Sequence, residues 1–193
     1  MIRVVIGAFA AAVAMFVIGF LFFATPLGNI PVGQVDDDSA AAIQQTLAEH
    51  MGADGPAAYV VPGIIGEAQQ VQYINGPIAM IHYNPNGYAL GDTNAMLGGF
   101  IQLLITALIL GFALHALSGH TRDFGDRMKV LILFTLAASV FMHLGNPVWW
   151  HQSWTFHGYL FVADLVSMLV GGTIITRWFL PRHVDSDDRF GEE

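Results

Sequence analysis

Asp164, Gln102 and His143 each stand in a stretch of sequence that is otherwise strongly apolar. Polar groups in such stretches are expensive in a bilayer, and the default reading of one is a functional site. At 1.5 Å per helical residue, Asp164 lies about nine residues, roughly 13 Å, into the fourth apolar segment. Gln102 lies about seven residues, near 10 Å, into the second by the same rule. His143 sits close to the corresponding end of the third. The three are therefore expected to meet in one half of a helix bundle. A carboxyl placed there is either neutral, or charged and paired. The chemistry on offer is proton handling or ligand coordination. The plainer alternative is a hydrogen-bond clamp between helices, of about 0.6–2 kcal/mol.

A second group of candidates runs from His143 to His157, a segment holding three of the four tryptophans and three of the eight histidines. Trp149, Trp150 and Trp154 suit an aromatic belt at the lipid headgroups, and Tyr88 and Tyr159 could join it. Imidazoles bind zinc, copper and haem iron, so His143, His151 and His157 form a candidate haem or metal set. Against it, no helix carries a repeated histidine pair, and His115 near the far end lacks a mate. No cofactor is predicted on balance, with haem or metal as the alternative. His50 and His82 read as ordinary. No catalytic residues are assigned: there is no glycine-rich phosphate loop, no His-Glu-x-x-His and no Gly-x-Ser-x-Gly. The run Asp36-Asp37-Asp38 lacks the spaced ligands of a calcium loop and reads as a helix cap.

The elements that must position these residues follow from composition. Of 193 residues, 54% are hydrophobic and 11% charged, too apolar for an ordinary soluble domain. Four segments are apolar enough to cross a bilayer: Val4 to Ala24, Asn94 to Leu117, a short Met128 to Leu144, and Phe156 to Trp178. The first reads as a retained anchor; the alternative, a cleaved signal peptide, would leave three spans. There are no cysteines, so disulfides, thiolate metal sites and cysteine nucleophiles are excluded. A net charge of -8 argues against nucleic acid.

The seven positive residues are Arg3, Arg122, Arg127, Lys129, Arg177, Arg182 and Arg189. None lies between Thr25 and Thr93 or between Gly145 and Thr155. Under the positive-inside rule both termini face the cytoplasm, and residues 25–93 lie outside it. Small residues at Gly7 and Ala11, at Gly98, Gly99 and Gly111, and at Ser167 and Gly171 allow close helix approach, within the chain or to a partner.

The segment 25–93 is too long for a bare hairpin. Ala40 to Met51 reads as an amphipathic helix, with Ile43, Leu47 and Met51 on one face and Gly52 as its stop. Ala57 to Val61 and Ile78 to Tyr83 read as strands, the second ended by the turn Asn84-Pro85-Asn86-Gly87. Between them, 64–76 is a loop or short helix. Two strands alone are marginal in water and need support from the helix, the membrane or a partner. The organisation expected is an anchor over 1–24, an extracytoplasmic α+β segment over 25–93, a three-helix region over 94–180 and a cytoplasmic tail over 181–193.

In these features the chain resembles a set of small, uncharacterised bacterial inner-membrane proteins. The residues that carry the likeness are Pro26-Leu27-Gly28 after the anchor, the strand end Tyr59 to Gly63, Gly76 to Ala79, and the turn Tyr83 to Gly87. The resemblance implies a topology and no activity. The function expected is that of a non-enzymatic accessory or structural membrane protein, associating with itself or with a larger membrane complex. The alternatives are a haem- or metal-binding redox protein using His143, His151 and His157, and a small proton-coupled carrier centred on Asp164.

Overall fold

The computed structural model describes residues 1–52, 55–121 and 123–180. Arg122 and the tail 181–193, with Arg182 and Arg189, lie outside the described residues. Two units are distinguished, one built from residues 1–33 and 93 onward, the other from 34–92.

The first unit consists of four antiparallel helices long and apolar enough to cross a membrane. They are α1 (Ile2–Phe23), α4 (Thr93–Leu117), a continuous helix over Phe124–Trp150, and a continuous helix over Trp154–Phe179. The third comprises α5 (Phe124–Ser139), a π-helical turn (Val140–Leu144) and α6 (Gly145–Trp150). The fourth comprises α7 (Trp154–Ile174) and a second π-helical turn (Ile175–Phe179). The third span is thus longer than the expected Met128 to Leu144, and the region expected as a loop from Gly145 is helical as far as Trp150. Pro147 is the third residue of α6, which continues directly from the π turn, so the helix runs through it.

Helix α1 is the centre of this unit. Its buried face, Val4, Gly7, Ala8, Ala11, Ala12 and Met15, packs on α4 on one side and α7 on the other. α5 packs chiefly on α7, so the order across the unit is α4, α1, α7, α5. Small residues set the closeness of each contact. A methyl group at Gly7 would overlap Phe179, one at Gly171 would meet Met15 and Ala11, and one at Gly172 would overlap Leu131. Gly111 faces Val4 and Ile175, whereas Gly98 and Gly99 face open space. Outward-facing Phe9, Val17, Ile105, Ile109, Phe134 and Phe141 leave a broad apolar surface, which suits lipid and not water.

The second unit holds α2 (Asp37–His50), β1 (Ala57–Val61), α3 (Glu67–Asn75) and β2 (Ala79–Tyr83). The strands pair antiparallel, from Ala57 opposite Tyr83 to Val61 opposite Ala79. Tyr59 and Tyr83 meet edge to face at 6.4 Å across the pair. The segment 64–76 resolves into α3, started at Gly66 and stopped at Gly76, where φ is +68°. α2 begins three residues before the expected Ala40, because Asp36 caps it: its carboxylate accepts from the Ser39 N–H at 2.9 Å and the Ser39 hydroxyl at 2.8 Å. Those bonds, the backbone one foremost, hold the Asp36 carboxyl below its ordinary 3.8. A depressed carboxyl stabilises above its unfolded value and loses that contribution as pH falls through the folded one. The first turn of α2 is therefore expected to be constant around neutrality and to fray below about pH 4. The Ser39 amide chemical shift checks this, and Asp36→Ala should fray the turn already at neutral pH.

Candidate functional site

The chemistry-bearing residues gather where α5 meets α7. On the α5 side Arg127, Leu131, Thr135, Ser139, His143 and Pro147 are all buried, at a strict spacing of four. A four-residue repeat drifts around an α-helix of 3.6 residues per turn, and would carry His143 off the α7 side. The π turn over Val140–Leu144 turns the ridge back, so His143 again points at α7. Its Nε2 lies 2.7 Å from Oδ2 of Asp164, joining two spans at depth. The pair is asymmetric: the imidazole is 10% exposed and the carboxylate 43%.

A second couple sits beside the first. His157, buried in the first turns of α7, has Nε2 2.5 Å from Oε1 of Gln152 in the α6–α7 connector. Two polar atoms here are buried without a partner, Nδ1 of His157 and Oγ of Ser139, the latter one turn from His143. Thr135, the next residue down the ridge, spends its hydroxyl on the carbonyls of Leu131 and Ile132. Below it Leu131 closes on Gly172. At the far end Arg127 donates to the carbonyls of Thr121 and Ser118, fastening the α4–α5 turn.

Gln102 is not part of this gathering. It is exposed on α4, and its Nε2 lies 3.4 Å from Oγ1 of Thr106 on the same helix. Depth arithmetic gave its height; it could not give its azimuth, and the side chain faces out of the bundle. His151 is exposed, with φ of +51° at the stop of α6, and does not join the buried histidines. Among the described residues no three His, Asp or Glu side chains converge as metal ligands. Trp149, Trp150 and Trp154 are exposed around the end of the bundle that holds these groups. At that end the Tyr159 hydroxyl donates to the Phe22 carbonyl at 2.6 Å, and its ring meets Phe22 and Phe23 edge to face, pinning α1 to α7.

Ser139, Thr135 and Gln152 were not singled out from the sequence. The signal for the first two was the spacing Thr135, Ser139, His143, which reads as a single polar ridge once the third span is long enough to contain it. Chemically, the arrangement can hold and exchange a proton, and it can lock two spans together. Comparison with protein families, with curated proteins and with solved structures finds no match.

Proposed function

We propose that this chain is a non-enzymatic subunit of the bacterial inner membrane that works by assembling, with copies of itself or with a larger membrane complex. One observation carries this reading: among the described residues of the second unit, none is buried. Ile43 on α2, Ile65, and Val71 and Ile74 on α3 are exposed, Ile65 at 95%. A two-stranded sheet and two short helices without a core do not stand alone in water. Such surfaces are ordinarily covered by another protein or by a membrane surface. The half-exposed carboxylate of Asp164 on a span points the same way, since lipid is a poor neighbour for it.

The orientation belongs to the same proposal. Arg3, Arg127, Lys129 and Arg177 stand at the Met1 end of the bundle, and residues 25–93 carry no positive charge. This supports N-in and C-in with the second unit outside the cytoplasm. The absence of native cysteine makes the check direct. In intact spheroplasts, Ala41→Cys should react with an impermeant maleimide, and Gly119→Cys in the α4–α5 turn should react only after lysis. The reverse pattern would overturn the orientation. The assembly itself is tested by extracting native membranes into lipid discs and sizing the particle that carries the chain. Replacing residues 34–92 by a short flexible linker should shrink that particle while the four spans still insert.

A further inference from the structure

We propose that the His143–Asp164 pair, with His157 and Gln152 beside it, is an intramembrane proton-binding site that is reached from the Phe23 end of the bundle and closed toward the Met1 end. The groups form two couples at successive depths along α7. Gln152 lies in the connector, partly exposed, and contacts His157 near the start of α7; two turns further along α7, Asp164 contacts His143. Each histidine has a ring nitrogen that can accept or donate as the tautomer changes. Nδ1 of His157 and Oγ of Ser139 are buried and unpartnered next to it, so the site holds more hydrogen-bonding capacity than its fixed contacts use.

The site stops at Leu131 and Gly172, which touch so closely that a methyl group on the glycine would overlap the leucine. Beyond Ser139, the Thr135 hydroxyl is engaged by its own helix. A proton can therefore enter and leave on one side without crossing. In the exchange, a hydronium ion from that side gives one proton to the pair and leaves as water, and the net charge of the pair goes from -1 to 0. Other ionisable groups do not compete at this depth. α1 contributes only Arg3, at the Met1 end; α4 contributes His115, near its own Met1-end terminus; α6 contributes none; α5 contributes Asp126, Arg127 and Lys129, also at the Met1 end. α7 contributes Asp164 and His157 themselves and Tyr159, whose hydroxyl is held by the Phe22 carbonyl, and the π turn after it contributes Arg177 at the Met1 end.

The test uses the full chain in lipid nanodiscs with nitrogen-15-labelled histidine, His143 being assigned by loss of its signal in His143→Gln. In the native chain the His143 ring signals should change as a proton is taken up on acidification. In Asp164→Asn its proton affinity should fall about tenfold or more, and Asp164→Glu should keep most of it. Vesicles carrying the native chain should pass protons across a pH step no faster than empty vesicles. A His143 signal that does not titrate, or an affinity unchanged by Asp164→Asn, would overturn the site. Proton leakage that Asp164→Asn abolishes would overturn its closure.

Discussion

Replacing His143 by leucine is expected to destabilise the bundle by about 2–3 kcal/mol, the cost of a carboxylate left without its partner at membrane depth. Leucine fills much of the same space, so the loss reports the pairing and not a cavity. Asp164 would keep its place on α7, 43% exposed, with no donor from the π turn. It would then either protonate or draw α7 out of register with α5. Changing both residues, His143→Leu with Asp164→Leu, should return most of the stability, because no charge is stranded. Asp164→Asn retains a hydrogen-bonding side chain opposite the imidazole and should lose only about 1 kcal/mol. Reversible unfolding in mixed micelles, read by the fluorescence of Trp149, Trp150 and Trp154, ranks the four chains. Equal losses in the single and double variants would show that packing, and not the pair, holds the two helices there.

Gly172→Leu is expected to have an effect of similar size through sterics alone. Even one added carbon overlaps both methyl groups of Leu131 and presses on its branch carbon, and a leucine adds three carbons more. α5 would have to move away from α7, and overpacking of this kind costs about 1–3 kcal/mol. The movement would also lengthen the His143–Asp164 contact, because both contacts lie on the same helix pair. Leu131→Ala in the same chain should recover part of the loss. Gly98→Leu is the control: nothing lies within 4 Å of a β-carbon added at that position, so its effect should be within about 0.5 kcal/mol. The same unfolding assay reads all three.

The four helices long and apolar enough to cross a membrane were legible because length and apolarity alone define them. The end of the third span was not. Gly145, Asn146 and Pro147 carry every local sign of a turn, and the π turn that lets the helix continue has no signature in composition. The same turn explains why the ridge from Thr135 to His143 escaped notice, since it fixes azimuth, and sequence arithmetic gives only depth. Depth was enough to place His143 and Asp164 at one level. It could not show that Gln102 faces outward from α4. In the second unit the strands and the Asp36 cap were readable from local propensity and capping chemistry. The extent of its exposure was not, because no pattern of residue types says which apolar faces go uncovered.

The proposal that the chain acts by assembling is tested most directly by the mass of the particle that carries it. Native membranes extracted into lipid discs, without detergent, preserve contacts on both the spans and the second unit. A protein mass well above the 20.9 kDa of one chain, reduced by the linker variant, is the expected result. Discs that hold a single copy and no other protein would contradict it.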